Sequence, residues 1–187
     1  MIRKIVILLF MVLNISSYSQ VKFTKFSFSG YQVNVIPSNS FRIEIKNNIE
    51  HERNVIEGNT LEYIINDQRG IVPKDTIYLY TDGIEELSLH NSELLMDNYE
   101  GDSLKIDLAS SFAYINLDCK YLYIEAEAAS SVKISGKAEK LSCVSGAASN
   151  INASKISAQN AIFETIGHGT IIYDKNRLDN YEEKINQ

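Results

Sequence analysis

Tryptophan is absent from the 187 residues, and proline and cysteine occur only twice each. Glycine is scarce too, with nine residues. So little proline and glycine excludes a collagen-like or linker-dominated chain. The Gly-x-Ser-x-Gly nucleophile elbow and the glycine-rich phosphate loop are both missing, which removes two common routes to catalysis. No apolar run beyond residue 20 approaches the ~20 residues a membrane-spanning helix needs. Acids outnumber bases, leaving a formal charge of −6. An acidic surface repels a phosphate backbone, so nucleic acid is not an expected partner.

What is present begins with a segment unlike the rest. Arg3 and Lys4 precede an unbroken apolar run from Ile5 to Leu13, followed by Ser16, Ser17, Tyr18 and Ser19. A basic start, a short apolar stretch and small residues before a cut site are the layout of a secretory signal peptide, residues 1–19. Cleavage takes the formal charge to −8 and leaves no segment for stable membrane insertion. The remaining length suits one domain burying roughly 70% of its unfolded surface, without covalent staples.

Residues 20–83 read as strands and turns. Tyr31, Val33 and Val35 alternate with Gln32 and Asn34, and Phe41, Ile43 and Ile45 alternate with Arg42 and Glu44. Period-two alternation marks half-buried strands, and the turn Pro37 to Ser40 makes the two a predicted hairpin. Leu61, Tyr63 and Ile65 follow the turn residues Gly58 and Asn59, and Ile77 and Leu79 form a further strand.

From residue 84 to 175 the texture becomes repetitive. Apolar pairs recur as Leu87/Leu89, Leu104/Ile106, Leu122/Ile124, Leu141/Cys143 and Ala161/Phe163. The second members of the last four pairs lie 18, 19 and 20 residues apart, and eight residues beyond each comes Tyr114, Val132, Ile151 or Ile171. Between them sit Ser110/Ser111, Ala128/Ala129, Ala147/Ala148 and Gly167/His168. A β-solenoid explains this register. Its coils stack at strand spacing, ~4.8 Å, so equivalent residues lie directly above one another. Apolar pairs then face inward, polar neighbours outward, and small residues fill a corner where a large side chain would meet its own copy. A disulfide is disfavoured, because Cys143 falls in the slot of Ile106 and Ile124 whereas Cys119 aligns with Ala138. Residues 176–187 form a polar tail that caps the stack or lies free of it.

The run LSCVSGAASNIN from Leu141 to Asn152 resembles the recurrent Ser-Gly-Ala segment of the auto-transporter adhesin head GIN domain family. FSGYQVNV from Phe28 to Val35, followed by FRIEI from Phe41 to Ile45, is similar to that family's opening hairpin. The resemblance spans Phe23 to Tyr173. It departs at Ala126 to Ala129 and at Thr165 to His168, where Ser-Gly-Ala is replaced. It implies an all-β, right-handed parallel β-helix or solenoid with N-terminal β-hairpins, export, and no established enzymatic role or site residues to carry over.

Candidate chemistry is sparse. His51 lies between Glu50 and Glu52, but neighbours in an extended chain point apart, so a solvated segment is the better reading than a metal site. Asp97, Glu100 and Asp102 near Gly101 lack the ligand order of a calcium loop. Asp107 and Glu125 fall in outward slots of neighbouring coils, where two carboxylates ~5 Å apart would suit a small polysaccharide-active enzyme. Against that, tryptophan is missing as a sugar platform and no long loops build a cleft. Eleven tyrosines are the enriched polar aromatic. Tyr121 and Tyr123 flank inward Leu122 beside Glu125, a candidate interaction face. His168, between two glycines, is a second exposed candidate. The expectation is therefore an exported, non-catalytic binding or structural module, adhesin-like, with no cofactor and with a protein or glycan as partner. A polysaccharide-active enzyme and a self-associating envelope protein are the alternatives.

Overall fold

Alternation carries most of the chain into strands, and the computed structural model describes residues 23–46, 52–65 and 75–186. The expected signal peptide and His51 lie outside the described residues. The strands are β1 (Lys25–Ser29), β2 (Tyr31–Pro37), β3 (Arg42–Lys46), β4 (Glu52–Glu57), β5 (Thr60–Ile65), β6 (Asp75–Thr81) and β7 (Glu86–His90). There follow β8 (Glu93–Ala109), β9 (Phe112–Glu127), β10 (Ser131–Ser145), β11 (Asn150–Ile166), β12 (Thr170–Tyr173) and β13 (Leu178–Asn186). β8 to β11 are each a whole coil, paired in parallel with the next. The chain is an all-β solenoid of about 5 turns with mixed strands at its N-terminal end.

The apolar register holds for the last four pairs, while the first is displaced by two residues, so that Leu87 rather than Leu89 stacks on Ile106. Leu87, Ile106, Ile124, Cys143 and Phe163 stack as one inward ladder. The ladder eight residues on needs a correction. Val132 pairs with Ala113, not Tyr114, so the ladder is Leu94, Ala113, Val132, Ile151 and Ile171, and Tyr114 points outward. The cause is corner length. One residue, Ser110, turns the first coil with φ 52°, whereas Ala128 and Ala129 (51° and 63°) together turn the next. Cys119 and Cys143 are free, buried thiols in different ladders. Burial raises both, Cys119 to about 11.

Stacking does not explain the small corner residues. Ala128, Ala129, Ala147 and Ala148 are exposed, so nothing above them limits their size. All four have positive φ, a region that admits bulky or β-branched side chains poorly. Beside them runs a buried serine ladder. Ser92 N donates to Ser111 Oγ, Ser111 N to Ser130 Oγ and Ser130 N to Ser149 Oγ, each at 3.1 Å and each across 19 residues. Gly30 N and Tyr31 N donate to Ser92 Oγ below it at 3.0 and 3.2 Å. Each hydroxyl thus supplies an acceptor to a corner N–H, the only one among the described residues for Ser92 N and Ser111 N, while Ser130 N and Gly30 N also reach Glu127 O and His90 O.

At the N-terminal end the expected β2–β3 hairpin does not form. β2 has β6 on one edge and β8 on the other, both parallel, so β3 is displaced to the far edge of β6, where it pairs antiparallel. β4 and β5 do form a hairpin about Gly58 and Asn59. At the other end Tyr173 stacks on Phe163 at 4.4 Å and meets Tyr181 at 5.6 Å. The polar tail contains β13, which pairs with β11 and sets Glu183 in the inward slot above Phe163. A charge at the end of an apolar ladder opposes the stacking of a further coil.

Candidate binding surface

Register places outward side chains in rows as it places the inward ones. One broad sheet face runs through β3, β6, β2, β8, β9, β10, β11 and β12. Its central row reads Glu44, Tyr78, Asn34, Leu95, Tyr114, Lys133, Asn152 and Ile172, a span of roughly 34 Å at strand spacing. Phe112 and Tyr114 stand on this face 57% and 45% exposed. Cations lie over its tyrosines: Arg42 4.1 Å from the Tyr80 ring, Lys46 4.5 Å from Tyr78, and Lys133 5.1 Å from Tyr114. An open depression of about 470 Å³ lies beside Tyr114, among Leu95, Asp97, Lys133, Asn152 and Lys155. It exists because the outward neighbours Asn116 and Ser135 are short, and because extra residues bulge at Asp97–Asn98 and near Lys155.

The opposite run carries a charged face in its first coils. Lys25 binds Glu86 at 2.9 Å, and Lys105 binds Glu86 at 3.5 Å and Asp107 at 2.6 Å. The hydrogen bond from Lys25 holds Glu86 below its ordinary value, and the Asp107 bond raises Lys105. Asp107 and Glu125 are indeed register neighbours. Each is already engaged, Asp107 by Lys105 and Glu125 by the Tyr123 hydroxyl at 2.9 Å. Burial, then that bond to Glu125, pushes Tyr123 up to about 12.

Of the residues singled out in the sequence, Tyr121, Tyr123 and Glu125 share one strand and one outward side. Tyr121 is 46% exposed with Lys140 5.1 Å from its ring, while Tyr123 is half-buried. His168 is exposed at the corner of the last coil, two coils from Glu125 and apart from the other three. Asp97 accepts from Asn116 at 2.9 Å and Asp102 pairs with Lys120 at 2.6 Å. Among the described residues no three His, Cys, Asp or Glu side chains gather as a metal site. The middle run of each coil borders a wider depression of about 870 Å³, but charges of both signs line it and no aromatic ring does. Sequence reasoning missed Phe112 and Tyr114 as surface residues. The signal was there: Ala113 stands 19 residues before Val132, which makes its two neighbours outward.

Residues 20–179 match the family described as "Putative auto-transporter adhesin, head GIN domain". The chain belongs to the GIN domain family. Two solved structures share the fold of this GIN domain. A putative adhesin from Bacteroides fragilis NCTC 9343 superimposes with a TM-score of 0.72 at 17% identity, over 88% of this chain and 90% of that one. Another from Parabacteroides merdae ATCC 43184 gives 0.73 at 18% identity, over 88% and 73%. A search of the curated proteins finds no match. Identity this low transfers the solenoid to the GIN domain and leaves its binding surface to be argued from its own residues.

Proposed function

We propose that this GIN domain is an exported, non-catalytic recognition module that binds through the face centred on Phe112 and Tyr114. The exposure of those two rings on a flat sheet carries the reading. Large aromatic side chains left uncovered on a rigid surface are the usual anchors of an interface. The family's adhesin description agrees with a binding role, and the basic-then-apolar N-terminal segment with export. Asp107 and Glu125 are the best candidates for acid–base work; they border one shallow depression of about 350 Å³, and Lys105 and the Tyr123 hydroxyl each hold one oxygen of the pair.

Beads coated with the mature domain should be retained on mucin and on epithelial cell layers. The double variant Phe112→Ser/Tyr114→Ser should lose most of that retention without a change in thermal stability, since neither ring is in the core. Retention unchanged in the variant, or absent in the parent, contradicts the reading. So does hydrolysis of a polysaccharide that disappears on Asp107→Ala or Glu125→Ala.

A further inference from the structure

The depression beside Tyr114 has the wrong charge for this chain. The protein carries −6 overall, yet Lys133 and Lys155 both line this hollow against Asp97 alone. Among the described residues neither lysine is in an ion pair. Asp97 is already hydrogen-bonded by Asn116 Nδ2. Two cations without an acidic partner, facing one engaged acid, make an anion-seeking spot on an acidic protein.

The other polar side chains of the lining include the amides Asn116 and Asn152, each able both to donate and to accept. Asn152 Oδ1 accepts from Ser154 N at 3.1 Å and from Ser154 Oγ at 2.7 Å, which fixes the amide and leaves its NH₂ to donate. Asn116 gives its NH₂ to Asp97 and to Asn98 Oδ1 at 3.3 Å, which leaves its carbonyl oxygen to accept. A fixed donor and a fixed acceptor beside an exposed ring suit a molecule with hydroxyls on its edge and C–H groups on its face. Lys133 stands 5.1 Å from that ring, at the weak end of a cation–π contact, and can swing aside toward an anion. The depression, about 470 Å³, has room for one sugar ring.

We propose that this depression binds an acidic saccharide, with a pyranose ring on Tyr114, its carboxylate between Lys133 and Lys155, and its hydroxyls on Asn116 and Asn152. The proposal rests on the broad aromatic face being the binding surface, and it adds the ligand class. A polyanion such as nucleic acid is disfavoured by the net charge, whereas a single carboxylate meets only the local lysines.

The test is titration of the ¹⁵N-labelled mature chain with digalacturonate and 3′-sialyllactose, beside lactose and triglutamate. An acidic saccharide should shift amides near residues 95–97, 114–116, 133–135 and 152–155. Lactose should bind about tenfold more weakly, and Lys133→Gln/Lys155→Gln should erase that difference. Added salt should weaken the acidic probe and leave lactose unchanged. Triglutamate should give no shifts, because it lacks a sugar face. Equal binding of lactose, equal binding of triglutamate, shifts on another surface, or no shifts with either acidic saccharide would each overturn the proposal. Bead retention that persists while no saccharide binds would overturn the saccharide and leave the binding face standing.

Discussion

Ser111→Ala/Ser130→Ala will lower the unfolding free energy by roughly 3–5 kcal/mol, read as a fall in the urea midpoint at constant slope. Both side chains are buried, so water cannot replace what is removed. Ser111 Oγ accepts from Ser92 N and donates to Ala109 O at 2.8 Å. Ser130 Oγ accepts from Ser111 N and donates to Glu127 O at 2.6 Å. Each substitution strands one buried N–H and removes one of the donors to a carbonyl that keeps another, at about 1–3 kcal/mol per site. The sites are neighbours in one chain of bonds, so the double variant need not equal the sum of the singles. Ser131→Ala is the control. It is next in sequence but half-buried and outside the ladder, and should change stability by less than about 0.5 kcal/mol. A double variant as stable as Ser131→Ala would mean that the corner N–H groups are satisfied elsewhere.

Gly136→Ala should cost about 3 kcal/mol or more. Its φ is 106°, and a Cβ there would lie 1.9 Å from the carbonyl oxygen of Leu117 in the coil below. That neighbour is backbone and held in the sheet, so neither side can yield without breaking the β9–β10 ladder. The comparison is Gly58→Ala in the β4–β5 turn. Its φ of 59° is also positive, but nothing lies within 4 Å of the added carbon. Strain alone should then cost about 1 kcal/mol. A thermal melt of both variants separates collision from strain, and equal losses would refute the close approach.

The apolar pairs were readable because burial leaves only one kind of residue for an inward slot, and coil spacing repeats it. Tyr114 was misplaced for a physical reason. The corner between β8 and β9 spans two residues and the later ones three or four, so a constant offset slips by one place. In a strand that slip moves a side chain from core to surface. The serine ladder was equally regular in the sequence, yet serine commonly marks a turn, and nothing local says that a hydroxyl faces inward. The β2–β3 hairpin failed differently. Its alternation was right, but which strand fills each edge of β2 depends on β6 and β8, far along the chain.

The surface followed from those slots. Tyr121, Tyr123 and Glu125 were placed outward correctly, while their bonding to Lys140 and to one another needed coordinates. Phe112 and Tyr114 became visible as a face only once Ala113 took the inward position. The binding proposal therefore depends on the same register as the stability predictions.

Native-state hydrogen exchange of the amides of Ser92, Ser111 and Ser130 tests that register most directly. The account predicts that all three exchange only on global unfolding, with protection equal to that of core amides such as Ile124 and Cys143, although each lies at a corner beside exposed residues. Exchange at the rate of a solvent-exposed turn amide would contradict it.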